Sequence, residues 1–406
     1  MAGWAATMLG HPDDIGVVHA HGGGSEPRIV PRDRDRLARE EAEDRMLAAG
    51  ATRASGAGNR LVAEEADRAR TCFERDRDRI LHSAPFRRLA GKTQVFVFPR
   101  DHQRTRLTHA LEVAQVATAV SSSVGLNVAL TEAIALGHDC GHGPGGHASE
   151  DAFSPYLEAG YDHAVWGADV VLAPLNLCAE TLDGIRNHSW SLPSPHSPEG
   201  VVVSWADRCA YCAHDLEDAI SAGIVDPGDL PDAVVDFAGR SRSSQLRAFI
   251  AALVDCVAAT GQVGMRAEAA GALAELRRFN YERIYTEAAS RLQAEAVVAV
   301  LRALVDFFVE DPSRLPASAL AADGSRADGS RADGSSADGS RADGSRADGS
   351  SADGSSADDD EHRARRAIAY VGGMTDRFAF ETAVSRLGWD PRRLPRGIDS
   401  PGGLGA

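Results

Sequence analysis

Apolar residues recur every three or four positions through most of residues 31–310, and this spacing is typical of amphipathic α-helices. Within 105–124, for example, Val113, Val116 and Val120 fall on one helical face. The same pattern predicts helices in four further segments: 178–189, 200–222, 244–258 and 266–309. The sequence offers no series of alternating strands. Such a chain buries its apolar residues by packing helices against one another, so the sequence predicts an all-α fold.

Three shorter segments complete this prediction. A further helix is expected to begin after Thr131, because Glu132 would lie in its first turn, where the helix dipole favours an acidic side chain. Residues 141–146 (GHGPGG) are predicted to form a loop, since glycine and proline are both poor in helix interiors. Residues 94–98 (QVFVF) have the composition of a β-strand, so at most a short β-hairpin is expected near 94–100.

The charge and cysteine content restrict the class of protein. A formal net charge of −16 argues against strong binding to nucleic acids or anionic membranes, because both require basic surface. A polyphosphate substrate needs only a local basic pocket. The six cysteines are scattered, which suits a reducing compartment better than a disulfide scaffold. Neither a signal peptide nor a run of ~20 apolar residues is found in the sequence, so we expect a cytoplasmic protein without a membrane partner.

Composition divides the chain into five predicted segments. Residues 1–30 are rich in glycine, alanine and histidine without a sustained period, and are expected to be a disordered leader. Residues 31–320 form the predicted core. The segment 321–360 repeats Ala-Asp-Gly-Ser followed by Arg or Ser, and it has too little apolar surface to offset its ordering entropy, so a disordered linker is expected. Residues 361–390 are predicted to return to the core as a C-terminal helix, followed by a tail at 391–406.

One group of residues has the chemistry of a metal site. His138 and Asp139 are adjacent, His109 lies on the preceding predicted helix and Asp207 on a later one. Imidazole nitrogens with carboxylate oxygens suit borderline divalent metals, and such an ion polarises a phosphoryl group. Each residue taken alone is more simply explained as a packed or surface side chain. Their joint pattern, with two further histidines nearby, indicates hydrolysis of a phosphorylated substrate.

Five long sequence words surround these residues: RDRDRILHSAPFRRLAGKTQVF (75–96), RTRLTHALEVAQVA (104–117), LTEAIALGHDCGHGPGGHASE (130–150), LNLCAETLDGIRNHS (175–189) and EGVVVSWADRCAYCAHDLEDAISAGI (199–224). A sixth match is GMTDR at 373–377. With these words the chain resembles the HD-domain deoxynucleoside triphosphate triphosphohydrolases, the dGTPase-like proteins. The pattern of one histidine, a His-Asp pair and a later aspartate identifies only the wider HD superfamily, whereas the surrounding words are far more specific.

The resemblance implies an HD-domain helical bundle and a role for each matching residue. The implied metal ligands are His109, His138, Asp139 and Asp207. The implied catalytic residues are His142, His147 and Glu150, with His163 retained after them. The implied phosphate-binding residues are Arg106, Arg208 and Lys92, and those for the deoxyribose 3′-hydroxyl are Gln94, Tyr211 and Asp215. Guanidinium groups suit phosphate oxygens because they bind them in a bidentate manner.

The chain departs from the family pattern in two places. Gly145 stands where the family, which reads roughly GHxPFGHxGE, usually has an aromatic residue. After His163 the family usually continues with asparagine, glutamine and arginine, whereas this chain has Ala164 and Trp166 and no arginine by residue 170. These departures bear on local packing, on substrate choice and on control linked to oligomerisation.

The resemblance implies hydrolysis of dGTP, or of a broader set of dNTPs, to a deoxynucleoside and inorganic triphosphate. It implies a homo-oligomer and one divalent ion per site, for which the ligand set suits Mn, Mg, Fe, Co, Ni or Zn. Two alternatives stay open. One is another HD-superfamily nucleotidase or phosphodiesterase. The other is a nucleotide-sensing binding protein with weak turnover, which the departures at Gly145 and after His163 would favour.

Overall fold

The computed structural model describes residues 10–22, 29–32, 34–99, 102–317 and 354–396, except the side chains of 354–358. Within these residues the chain forms fifteen α-helices: α1 Arg36–Met46, α2 Cys72–Leu81, α3 Ala84–Arg88, α4 Arg106–Val124, α5 Val128–Gly137, α6 Ala148–Phe153, α7 His163–Trp166, α8 Ala179–Arg186, α9 Pro198–Ser221, α10 Asp232–Ala238, α11 Arg242–Thr260, α12 Ala267–Asn280, α13 Ala288–Glu310, α14 Gly354–Gly372 and α15 Asp376–Leu387. The prediction of an all-α fold is confirmed. No described helix is both long enough and apolar enough to cross a membrane.

The chain divides into two compact units, one up to Asp35 and one after it. In the first unit, strand β1 (His11–Pro12) pairs antiparallel with strand β2 (Val18–His19). The side chain of Asp13 accepts two backbone N–H groups in the turn between them. This hairpin lies inside the predicted leader. Half of that leader falls outside the described residues, so its disorder stays a prediction.

The core of the second unit is built on three mutually packed helices, α4, α5 and α9. Their facing side chains are fully buried, among them Val113, Leu130, Ile134 and Val203. Burial of each such side chain contributes roughly 1.5–3 kcal/mol. This packing brings together the helices that carry the predicted metal ligands, although those helices are far apart in sequence.

A second apolar cluster joins α6, α13, α14 and α15. Phe153, Leu301, Ile368 and Phe380 are buried in it. The chain after the repeat therefore packs against the helices that precede the repeat. The repeat itself, up to residue 353, lies outside the described residues.

The last two helices replace the single C-terminal helix expected within 361–390. The break falls just after Gly372, and Thr375 caps the next helix by accepting the N–H of Phe378 at 3.4 Å. Glycine favours such a break because it stabilises a helix interior less than other residues apart from proline.

Asp376, the first residue of α15, connects this C-terminal part to two loops of the core. Its buried carboxylate accepts the backbone N–H of Thr93 at 2.9 Å, the hydroxyl of Thr93 at 2.6 Å and the backbone N–H of Gly145 at 2.8 Å. One side chain therefore fixes two loops, and both of them line the cavity described below.

The helix that was expected to begin after Thr131 begins earlier, at Val128, so the predicted start of this helix was wrong. Helix α5 starts at Val128, and the side chain of Asn127 accepts the N–H of Leu130 at 3.1 Å. Asparagine is a strong N-cap residue, which explains the earlier start. Thr131 lies buried one turn further on, and its hydroxyl is 2.8 Å from that of Ser121.

Residues 94–98 form no strand. The described backbone here makes only an isolated bridge between Thr93 and Thr105, and Phe98 has a positive φ of 54°. The β composition of this segment instead reflects burial, since Phe96 and Val97 are both buried.

The long helix expected at 266–309 is also interrupted. Helix α12 ends at Asn280, a π-helical turn covers Tyr281–Tyr285, and α13 begins once Glu287 caps it. The wider turn carries Tyr285 to the wall of the central cavity.

Candidate metal centre and active site

A cavity of about 450 Å³ opens in the second unit at the meeting point of α4, α9 and α13. This volume lies within the range of small-molecule binding sites. Of the fourteen residues predicted for the site, eleven line this cavity: Gln94, Arg106, His109, Asp139, His142, His147, His163, Asp207, Arg208, Tyr211 and Asp215. His138 does not line it, but its Nε2 is within 3.6 Å of both Asp139 and Asp207.

The four predicted metal ligands converge from three segments. His109 lies in the first turn of α4, His138 and Asp139 follow the end of α5, and Asp207 is in the middle of α9. Asp207 Oδ1 is 3.1 Å from His109 Nε2 and 3.6 Å from His138 Nε2. Asp139 Oδ1 is 3.5 Å from His138 Nε2, and Asp139 Oδ2 is 3.9 Å from His109 Nε2. Donor atoms each about 2.1 Å from one ion can be up to about 4.2 Å apart, so all four separations suit a shared cation.

The tautomer of His138 supports a cation at this position. His138 Nδ1 lies 2.6 Å from the carbonyl oxygen of Ala135, which can only accept, so Nδ1 donates and Nε2 of the neutral ring keeps its lone pair. That buried Nε2 has no hydrogen-bond donor and faces the carboxylates of Asp139 and Asp207. A lone pair opposite two anions is repulsive unless a proton or a metal ion lies between them. A backbone carbonyl that orients the other ring nitrogen is a common companion of metal-binding histidines.

The electrostatics favour positive charge at the same point. Burial alone would lower the pKa of His138, but the carboxylates of Asp139 and Asp207 outweigh it and raise that pKa to about 9. Burial would raise the pKa of Asp207, yet its bonds with His109 and His138 hold it well below the usual range. Both aspartates are therefore ionised at neutral pH, and the donor set fits a borderline divalent metal.

Arg106 lies beside this cluster. Its side chain is 2 % exposed, and Nη1 donates to Asp139 Oδ2 at 2.6 Å. Its Nε and Nη2 are buried without a hydrogen-bond partner. Gly146, with φ of 65°, makes room for it, because a Cβ there would lie 2.7 Å from Arg106 Nη2. Two unused donors on a buried guanidinium indicate an anionic ligand.

Arg208, next to Asp207, is held differently. Its guanidinium carbon lies 3.2 Å from the ring centroid of Trp190, and the Trp190 indole N–H donates to the carbonyl oxygen of Ser204 at 3.1 Å. The stacking fixes the plane of the guanidinium at the cavity wall, and its buried Nε is without a partner. Sequence reasoning missed Trp190, for which the only signal is its position in the chain next to a matching word.

Four residues that follow the His-Asp pair in the sequence contact one another: His142, His147, Glu150 and His163. Glu150 Oε1 accepts from His163 Nδ1 at 2.5 Å and lies 3.4 Å from His147 Nδ1. The ring of His142 stacks on that of His163, with centroids 3.7 Å apart. Burial, together with the nearby Arg106, holds the pKa of His142 well below its usual range, so this imidazole is neutral. His147 has 74 % of its side chain exposed and stands at the cavity mouth.

The opposite wall carries the residues predicted to bind the sugar. Tyr211 and Asp215 are on the same face of α9 as Asp207, at four-residue spacing. The hydroxyl of Tyr211 accepts from Arg277 Nε at 2.9 Å, and Tyr285 donates its hydroxyl to Asp215. Burial raises the pKa of Asp215 to about 7.

Gln94 completes this wall from another segment. It lines the cavity, and its buried Oε1 is without a hydrogen-bond partner. Arg277 and Tyr285 were missed by sequence reasoning, because they come from α12 and the turn after it, outside the matching words.

Lys92 does not belong to the cavity wall. It is buried, and its ammonium donates to the carbonyl oxygens of His142 and Gly372. Burial and the neighbouring Arg88 lower its pKa to about 8. The expectation that Lys92 balances phosphate charge is therefore replaced by a structural role, in which Lys92 holds the loop after the His-Asp pair.

Similarity to known proteins agrees with this geometry. The HD domain family matches residues 106–212. A deoxyguanosinetriphosphate triphosphohydrolase-like protein of Caldanaerobacter subterraneus subsp. tengcongensis is 38 % identical over 284 residues, which cover 68 % of this chain and 84 % of that protein. A protein of the same description from a Ruegeria species is 33 % identical over 404 residues, 83 % of this chain and 98 % of its own.

The chain belongs to the deoxyguanosinetriphosphate triphosphohydrolase-like family. As an HD-domain member of this family it is a hydrolase. A solved structure of a hypothetical protein from Aquifex aeolicus aligns with 57 % of the chain at 19 % identity and a TM-score of 0.39, a likeness too weak to add to the assignment.

The two departures from the triphosphohydrolase-like pattern have structural counterparts. Gly145 has φ of 75°, and a Cβ there would lie 2.3 Å from Cγ1 of Val297, so α13 occupies the space of the usual aromatic residue. After His163, Ala164 and Trp166 are buried, and Trp166 packs against Tyr161 with ring centroids 5.1 Å apart. Apolar packing therefore replaces the polar residues that the family pattern has there.

Proposed function

We propose that this protein hydrolyses deoxynucleoside triphosphates between the 5′-oxygen and the α-phosphorus, releasing the deoxynucleoside and inorganic triphosphate. The observation that carries the proposal is the donor group of His109, His138 and Asp207, with Asp139 close to both histidines. Beside it lies a buried arginine, Arg106, with two unused donors. The names of the relatives, which refer to deoxyguanosine triphosphate, support the same substrate class.

His109, His138, Asp139 and Asp207 would hold one divalent ion. When bound, such an ion polarises a phosphoryl oxygen and makes water a better nucleophile. The nitrogen and oxygen donors suit Mn, Fe, Co, Ni or Zn, and Mg at lower affinity.

The chain's own residues supply binding and proton transfer. Arg106 and Arg208 would bind the triphosphate, because both present unpaired guanidinium N–H groups near the cluster. Gln94, Tyr211 and Asp215 would bind the deoxyribose. The 3′-hydroxyl can donate to the free Gln94 oxygen and accept from a protonated Asp215.

The protonation and the solvent exposure of His142 and His147 suggest a different role for each in the reaction. His142 is buried at the cavity wall with both ring nitrogens free of hydrogen-bond partners, so it can orient the water that attacks the phosphorus. Its lowered pKa makes it a weak proton acceptor. His147 is exposed at the mouth and paired with Glu150, so it can donate a proton to the leaving 5′-oxygen. Glu150 and His163 orient this pair through their short mutual hydrogen bond.

The test is a product analysis. Purified protein with Mn²⁺ is incubated with each of the four dNTPs, and with NTPs, dNMPs and cyclic dinucleotides, and products are separated by anion exchange. Deoxynucleoside and triphosphate in equal amounts are expected. Pyrophosphate or orthophosphate without triphosphate would contradict the bond assignment, and turnover only of dNMPs or cyclic dinucleotides would favour a nucleotidase or phosphodiesterase.

A variant separates metal-dependent turnover from background. Asp207→Ala removes a carboxylate close to both His109 and His138, so it should lose bound metal and at least about a hundredfold in kcat/KM while staying helical by circular dichroism. A matched control is Asp183→Ala, a carboxylate that lies outside the cavity and pairs with His196. An Asp207→Ala protein with full activity and full metal content would refute the ligand assignment.

A further inference from the structure

Two buried histidines beside the four-residue cluster face each other through the same ring atom. His163 Nε2 and His188 Nε2 are 3.3 Å apart. The other nitrogen of each ring is already committed: His163 Nδ1 donates to Glu150 at 2.5 Å, and His188 Nδ1 donates to the carbonyl oxygen of Ile185 at 2.8 Å. In both neutral rings Nε2 is therefore the lone-pair atom. Two lone pairs at this distance repel each other unless a cation lies between them.

A third donor lies next to this pair. Asp139 Oδ1 is 3.8 Å from His163 Nε2, and His188, Asp139 and His138 each offer a donor atom within 4.8 Å of the others. Two nitrogens and one carboxylate oxygen thus lie close together, and this oxygen, Oδ1, is not the one that lies near His109. Nitrogen–metal distances of about 2.1 Å allow ligand atoms up to about 4.2 Å apart, so the separations of 3.3 and 3.8 Å both fit one ion.

The orientation of both rings is also typical of metal-binding histidines. One ring donates to a carboxylate and the other to a backbone carbonyl, which fixes the tautomer that presents Nε2 to an ion. His188 repeats the arrangement of His138, in which Nδ1 donates to the carbonyl three residues earlier.

We propose that His163, His188 and Asp139 bind a second divalent cation, and that Asp139 bridges it to the cation held with His109, His138 and Asp207. Asp139 can serve both, because Oδ1 faces His138, His142 and His163 while Oδ2 lies near His109. In this arrangement His163 is a metal ligand, and its hydrogen bond to Glu150 orients the ring.

A pair of cations would suit the substrate class. Two metal ions on either side of a phosphoryl group stabilise the attacking and the leaving oxygen together. This catalytic meaning rests on the proposed function, whereas the binding of the ion does not.

The experiment counts metal ions without nucleotide. Chelated and reloaded protein is dialysed against Mn²⁺, and the metal content is measured by mass spectrometry. About two ions per chain are expected for the wild type and for His196→Gln, a control histidine with a side chain 91 % exposed. About one is expected for His188→Gln. One ion in the wild type would overturn the proposal and would indicate that the two rings share a proton instead. A second ion that persists in His188→Gln would also overturn it, because His188 would then not be a ligand.

A second measurement does not depend on any variant. Anomalous difference maps from wild-type crystals grown with Mn²⁺ should show two peaks, one of them adjacent to His163 and His188. A single peak near His109, or a second peak elsewhere, would overturn the proposal. Because no nucleotide is present, failure of dNTP hydrolysis leaves both results unaffected and would refute only the proposed function.

Discussion

Replacing Asp376 by alanine should destabilise the protein and disturb the cavity at the same time. The carboxylate is 3 % exposed and accepts the N–H of Thr93 at 2.9 Å, the Thr93 hydroxyl at 2.6 Å and the N–H of Gly145 at 2.8 Å. The hydroxyl can rotate to another acceptor, but the two backbone N–H groups cannot. A buried donor without a partner costs about 1–3 kcal/mol, so the two together predict a loss of about 4 kcal/mol in the free energy of unfolding.

A graded series tests this estimate. The two N–H groups bind different carboxylate oxygens, so Asp376→Asn keeps one acceptor and should lose about half as much free energy. Asp360→Ala, at a side chain 67 % exposed on α14, should change the free energy of unfolding by less than about 0.5 kcal/mol.

Urea unfolding followed by far-ultraviolet circular dichroism measures the free energy, and dNTP hydrolysis measures kcat/KM. Both Thr93 and Gly145 line the cavity, so kcat/KM should fall along the same series. If Asp376→Ala lost under about 1 kcal/mol and kept its kcat/KM, the buried carboxylate would not be what holds the two loops.

Three further perturbations follow from the site. Gly145→Ala should lower the free energy of unfolding in urea by about 2 kcal/mol, because Gly145 has a positive φ and a Cβ there would clash with Val297. Adding Val297→Ala should recover part of this loss, and strictly additive effects of the two substitutions would contradict the clash. Burial raises the pKa of Asp215 to about 7, above its unfolded value, so its stabilising effect is full at low pH and is lost as the pH rises through 7. Asp215→Asn should therefore gain stability relative to wild type between pH 5 and 8, and parallel pH profiles would refute this. Trp190→Leu should raise KM about fivefold by freeing Arg208, and Trp190→Phe should raise it less; equal effects would exclude stacking as the cause.

The fold class and the family could be predicted because their signals are local. Helical periodicity needs only neighbouring residues, and it identified α4 and α9 almost to their ends. The sequence words around His109, the His138-Asp139 pair and Asp207 carry the family resemblance without any knowledge of the fold. Prediction was weaker at boundaries, where a single cap decides the outcome: Asn127 starts α5, and Glu287 starts α13 after the π-helical turn.

Contacts between distant segments were beyond the sequence. The sequence does not distinguish a lysine that binds phosphate from a buried lysine that donates to two carbonyl groups. Only the packing around Lys92 shows that it has the second role. The β-like composition of 94–98 came from burial rather than from strand pairing.

The sequence by itself determined that this chain folds as helices, that it belongs to an HD-domain hydrolase family, and which residue types could bind a metal and a phosphate. The tertiary structure alone decided that His188 faces His163, that Asp376 ties two loops together and that Trp190 stacks on Arg208. Periodicity records which face of a helix is buried, whereas the partner of a buried polar atom depends on how helices far apart in the chain pack together.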